Sequence, residues 1–113
     1  MAINYKNQGY DLKTTNLTTV LNINTSTVAI IKEISVANDD NSAHKVDYFF
    51  TDVSTSTSYK FYHTNVPADS HDNAVHNALI LEEGDFLQFQ ADTSNVISGQ
   101  ISYALLSRTG ENG

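Results

Sequence analysis

A chain of 113 residues, 40% of them hydrophobic and 17% charged, holds enough apolar material for one globular domain and is unlike a disordered tail. Its net charge is −7 with Arg108 as the single arginine, so no Lys/Arg cluster is available to displace counterions from phosphates. That excludes direct nucleic-acid binding and attraction to anionic membranes, while an acidic surface favours solubility and suits a basic protein partner. With no cysteine, disulfides and thiolate metal sites are excluded as well.

Polarity comes mainly from Asn, Ser and Thr, which suit turns and exposed strand faces better than helices. Residues 1–16 show little periodicity and are expected to form an arm, with a short strand near Tyr10 and Leu12. Met1-Ala2-Ile3-Asn4-Tyr5-Lys6 lacks the continuous apolar run of a signal peptide, so the expected site of synthesis is the cytoplasm. No segment approaches a membrane span in length. The first clear strand is Thr19–Ile23, followed after Asn24-Thr25-Ser26 by Thr27–Ala37. Strict alternation over Thr27–Ala37 would place Lys32 with Ile30 and Ile34, and a bulge near Ile31–Glu33 resolves the conflict by turning the charged pair outward.

Asn38-Asp39-Asp40-Asn41-Ser42 is a turn signal. Lys45–Val53 then predicts a strand with Val46, Tyr48 and Phe50 on one face. Ser54–Ser58 reads as a hairpin tip before a return strand, Tyr59–His63. Thr64 to about Asn73, which holds the only proline, Pro67, is expected to be the longest loop. Three further strands are expected at His76–Glu82, Phe86–Asp92 and Ser98–Leu106. Of these, Leu79-Ile80-Leu81 and Phe86–Ala91 flank Glu82-Glu83-Gly84-Asp85 in the pattern of a β-hairpin. Seven or eight strands at this spacing predict an all-β fold, a single antiparallel β-sandwich of jelly-roll type. The expected division is an arm (1–16), a sandwich domain (17–106) and a polar tail (107–113).

Few residues offer chemistry. His71 and His76 lie beside Asp69 and Asp72, which makes a His/carboxylate metal site imaginable, but the spacing of five falls in a loop and no third ligand is fixed. A hydrated loop or an interface histidine is the default reading for that pair, and His44 and His63 are the two other histidines. Glu82, Glu83 and Asp85 are expected to point apart into water at a turn, where burial does not raise a carboxyl pKa for acid catalysis. Asp39, Asp40 and Asn41 lack the spacing of a calcium loop. With no Gly-x-Ser-x-Gly elbow and no glycine-rich phosphate loop, the expectation is a non-enzyme without cofactor or metal. The aromatic residues of the third and fourth strands, Tyr48, Phe49, Phe50, Tyr59, Phe61 and Tyr62, are expected to supply core first, a protein interface second and a sugar-stacking platform third.

Three segments carry a family likeness. Thr27–Asn38 is an apolar strand with a central Lys that ends in an Asn turn. Leu79–Gln88 is an apolar strand that meets a Gly-Asp turn, and Gln100-Ile101-Ser102-Tyr103 closes with a Ser-Tyr pair. Together they resemble small β-sandwich virion proteins of tailed bacteriophages over roughly residues 17 to 106. The resemblance implies assembly rather than catalysis, as a head decoration, neck, tail or fibre-associated subunit, and it assigns no functional residues. It implies a virion location, with synthesis in the host cytoplasm. The expected partners are identical subunits, as a trimer or higher homo-oligomer, and a larger virion protein. Tyr5, Tyr10, Leu12, Tyr59 and Tyr62 are the candidate interface residues. The alternative is a carbohydrate-binding module for host glycans, which requires three or more coplanar exposed aromatics.

Overall fold

The computed structural model describes residues 2–74 and 78–107. Among these residues there is no helix. The strands are β1 (Ala2–Leu12), β2 (Thr18–Asn22), β3 (Thr27–Asn38), β4 (His44–Asp52), β5 (Thr57–Val66), β6 (His71–Asn73), β7 (Leu79–Leu81), β8 (Phe86–Ala91) and β9 (Ile97–Ser107). One sheet runs β1-β9-β3, with β6 and β7 both paired to the far side of β3; the other runs β2-β8-β4-β5, and every pairing is antiparallel. This is the strand order of an eight-stranded jelly roll whose sixth strand is broken into β6 and β7. The all-β antiparallel sandwich is as expected.

Alternation explains which face each strand buries. From the first sheet, Leu12, Ile31, Ile34, Val36, Leu81, Ile97 and Ile101 point inward; from the second, Leu21, Val46, Tyr48, Val66, Leu87 and Phe89 meet them. The expected bulge in β3 is present: the register against β9 shifts between Ile31 and Glu33, so Lys32 and Glu33 reach solvent while Ile31 and Ile34 both stay in the core. A second bulge, opposite Tyr48 and Phe49, turns Phe61 and Tyr62 of β5 to the same core.

Three expectations are corrected. Leu79–Leu81 and Phe86–Ala91 are not a hairpin, because β7 belongs to one sheet and β8 to the other, and Glu82–Asp85 is the corner between them. Gly84 takes φ +84° there, a conformation open to glycine. Thr64, Asn65 and Val66 continue β5, since Val66 fills the core and all three pair with β4. Finally, over residues 2–12 the segment read as an arm is a full edge strand, paired to β9 from Ala2↔Ser107 to Leu12↔Ile97. Its apolar residues are spaced too widely to show that pairing in the sequence. The expected start of a strand at His76 and the tail beyond Ser107 lie outside the described residues.

One end of the sandwich is fastened by side chains. Asn38, buried at the end of β3, donates through Nδ2 to the carbonyls of Ser42, Val66 and Pro67 (2.8–3.2 Å) and accepts at Oδ1 from the Asp40 amide. The turn-forming asparagine of the sequence therefore staples the β3–β4 connection to the end of β5.

Candidate protein interface

The five candidate interface residues separate by location. Tyr5 (79% exposed) and Tyr59 (46%) reach solvent, and Tyr62 is half-buried against Tyr48, with ring centroids 5.9 Å apart. Tyr10 and Leu12 do not: both are core residues of the described fold. The second sheet covers this end of β1, and the Tyr10 ring meets Phe89 edge-on at 5.1 Å. The Tyr10 hydroxyl donates to the Ser35 carbonyl at 2.6 Å, and burial drives its pKa far above the usual tyrosine value. Tyr59 lies flat against Phe50 (5.4 Å, 27°). Tyr48 and Phe89 are completely buried, so most of the aromatic set is core. Tyr5 and Tyr59 stand on different sheets, and no three exposed aromatics share a plane among the described residues.

A larger exposed feature is absent from the sequence reading. On the outer face of the first sheet, register aligns two neighbouring rows of apolar side chains. One row is Ile3–Leu106–Val28; the next is Tyr5–Ala104–Ile30–Ile80. They face outward because their neighbours Ala29, Ile31 and Leu81 are fully buried on the other side. Ile3, Tyr5 and Ile80 are 54%, 79% and 52% exposed, Val28, Ile30 and Leu106 are half-buried and the small Ala104 is covered by its neighbours, whereas an outward sheet face is ordinarily polar. The adjoining outward rows are polar: Asn7–Ser102–Glu33, then Gly9–Gln100–Ser35. The sequence signal was available in the unbroken apolar runs Val28–Ile31, Leu79–Leu81 and Ala104–Leu106, which mark strands apolar on both faces. Beside these rows, β1 ends its sheet, so its outer edge pairs with no described strand.

The titratable groups serve the loops. His44 presents Nε2 to Asp40 Oδ2 at 2.6 Å and Nδ1 to Asp92 Oδ1 at 2.9 Å. Both nitrogens donate only in the imidazolium form, and the hydrogen bond to Asp40, aided by Asp92, raises the His44 pKa. Asp40 is lowered in turn, chiefly by the bond from His44. On the outside of the second sheet, Asp47 accepts from His63 at 2.8 Å and faces Lys60 at 3.6 Å.

The Glu82–Asp85 corner corrects the expectation of carboxylates pointing apart in water. Asp85 is only 3% exposed and accepts the amides of Val53 (3.1 Å) and Glu82 (2.9 Å). Its oxygens lie within 4.8 Å of those of Asp52 and Glu82, and no other such cluster of potential metal ligands exists among the described residues. Asp52 Oδ1 already accepts the amide and hydroxyl of Ser54, so both buried-side carboxylates are committed to turn hydrogen bonds. Of the histidine pair weighed as metal ligands, His71 is exposed on β6 and His76 lies outside the described residues.

No family model and no curated protein matches this sequence. Solved structures do match in fold. A chain from the acidic stable capsid of Helicobacter pylori bacteriophage KHP30 aligns over 96% of this chain and 90% of its own length, at 8% identity and TM-score 0.58. A chain of the disulfide-linked pili called Bacillus endospore appendages aligns over 91% and 85%, at 11% identity and TM-score 0.53. The Drosophila NLP core, whose crystal structure bears on pentamer formation and histone binding, aligns over 91% and 98%, at 12% identity and TM-score 0.51. At these identities the likeness is one of fold.

Proposed function

We propose that this chain is a non-enzymatic structural protein of a phage virion. In this reading it is an accessory subunit on the head, as decoration or cement, or on the neck or tail. It acts through contacts with identical subunits, as a trimer or higher, and with a larger virion protein. The observation that carries the proposal is the exposed, charge-free double row on the outer face of β1-β9-β3-β7, set on a rigid jelly-roll scaffold. Soluble proteins seldom leave a contiguous apolar patch of this kind without a binding role. The edge of β1 beside it, unpaired among the described residues, is a further surface of the sort that sheet proteins use to grip neighbours. Fold likeness to a phage capsid chain and a pilus chain supports an assembly role. A glycan-binding reading has no row of exposed aromatics to support it among the described residues.

The test is immunogold electron microscopy of particles released from cells that carry the gene, using antibody against the purified protein. Regular labelling of the head, neck or tail is expected, and it assigns the position. Protein found only in the particle-free fraction overturns the proposal.

A further inference from the structure

Resting on that reading, we infer that the apolar double row is a homotypic contact: it is covered in the assembly by the same face of identical copies, turned toward a common symmetry axis.

Charge selects this occupant. Each copy carries a net −7, so two copies repel over most of their surfaces. Ile3, Leu106, Val28, Tyr5, Ala104, Ile30 and Ile80 bring no charge to the face. The first ionic groups on the outward side of β3 are Lys32 and Glu33, at the bulge level with the Asn7–Ser102 row. Like faces therefore meet without opposing carboxylates at their centre. A basic partner, by contrast, would gain nothing from an uncharged face and would be drawn to the acidic remainder of the surface.

Residues 108–113, which follow Ser107 beside the Ile3 row, are Arg-Thr-Gly-Glu-Asn-Gly and bring no apolar side chain to the face.

Size and layout fit as well. Four strands at about 4.8 Å spacing put β1 and β7 about 14 Å apart. Two apolar rows across that width make a contact centre smaller than the roughly 800 Å² per partner of a stable interface. The hydroxyl and amide rows that adjoin it on the same face, Asn7–Ser102 and Gly9–Gln100–Ser35, extend the contact as a polar margin. An apolar centre with a polar rim is the usual anatomy of a protein interface. Tyr5 is the large amphipathic side chain most exposed on the face, and tyrosine is prominent among residues that dominate interface energies.

The experiment is sedimentation velocity across a concentration series, on the full chain and on single variants at exposed positions, with circular dichroism confirming that each variant is folded. The full chain is expected to form a defined oligomer. Ile80→Asp or Ile80→Lys, each placing like charges face to face, is expected to raise its dissociation constant at least about tenfold. Leu17→Asp, at an exposed apolar position outside the rows, is expected to leave it unchanged. Mixing Ile80→Asp with Ile80→Lys is expected to yield more oligomer than either variant alone, because opposite charges then meet at some of the like-to-like contacts. A full chain that stays monomeric at every concentration, or folded Ile80→Asp that keeps the parental mass, overturns the inference. Particle labelling that persists in either case leaves the virion reading standing and shows that another protein covers the face.

Discussion

Replacing Asp85 by alanine tests whether a buried carboxylate, rather than the turn sequence itself, holds the corner between the two sheets. The side chain takes the amide of Glu82 from its own turn and the amide of Val53 from the tip of the β4–β5 hairpin, while the Asp85 carbonyl accepts from Ile23 beyond β2. One residue thus ties three connections together. A hydrogen bond to a charged group contributes about 1.5–3 kcal/mol, and the alanine variant strands both donors. Because Val53 and Glu82 retain some access to water, the lower value applies to each, for a loss of about 3 kcal/mol. That is a large fraction of the roughly 5–15 kcal/mol that holds a domain folded, and at about 4 °C per kcal/mol it lowers Tm by about 12 °C. Asp85→Asn keeps one acceptor oxygen and relieves repulsion from Asp52 and Glu82, so it is expected to cost about half as much. Urea unfolding followed by far-ultraviolet circular dichroism measures both variants. An alanine variant within about 1 kcal/mol of the parent, or one no worse than Asp85→Asn, would refute the reasoning.

Gly99→Ala is expected to disrupt the β3–β9 pairing, because a Cβ there runs into the Ser35 carbonyl oxygen and lies 2.7 Å from the Tyr10 hydroxyl; faster amide exchange in β3 and β9 is the readout. Tyr48→Phe leaves the buried Thr64 hydroxyl without its 2.9 Å partner and is expected to cost about 1–3 kcal/mol, while Tyr48→Phe with Thr64→Val recovers part of that loss in the same urea assay. His44 sets a pH dependence of stability. Its folded pKa is raised, so its contribution is full below the ordinary 6.5 and is lost as pH rises through the folded value. The lowered pKa of Asp40 contributes fully above 3.8 and loses that contribution as pH falls through its folded value. Thermal melts should therefore show the clamp strongest between those limits, and His44→Gln should flatten the alkaline side of the profile; a parallel profile for the variant counts against the clamp.

Strand faces were legible because alternation is enforced by burial. Val46, Tyr48 and Phe50 share an inward face as expected, and the charge of Lys32 in an apolar run was sufficient to locate the β3 bulge. Turn residues carried less information. Ser54–Ser58 links strands of one sheet, whereas Asn38–Ser42 and Glu82–Asp85 each carry the chain between sheets. All three are built from small polar residues, because they satisfy the same local backbone geometry. What distinguishes corner from hairpin is long-range: Leu81 pairs with Ala29, while Leu87 pairs with Leu21 and Phe50. β1 was hidden for a related reason. Its inward Asn4, Lys6 and Gln8 are exposed, so only Tyr10 and Leu12 report burial, although the pairing to β9 continues to Ala2.

The same distinction accounts for the interface. Val28 and Ile30, Ile80, Ala104 and Leu106, and Ile3 and Tyr5 come from four strands spread over most of the sequence, and each group alone resembles ordinary core. Core residues of an antiparallel sheet need one apolar face; β3, β7 and β9 carry two here, and β1 adds Ile3 and Tyr5 to the outer one. The inner face is already filled by Ala29, Ile31, Leu81 and Tyr103, so folding the single chain leaves the outer set without cover. The β3 bulge limits this doubling to one end. Beyond Lys32 the outward residues of β3 become Glu33 and Ser35, and their neighbours on β9 become Ser102 and Gln100. Selection for solubility alone would have favoured polar residues at both ends. The change at the bulge divides the face into a part suited to water and a part suited to a neighbour.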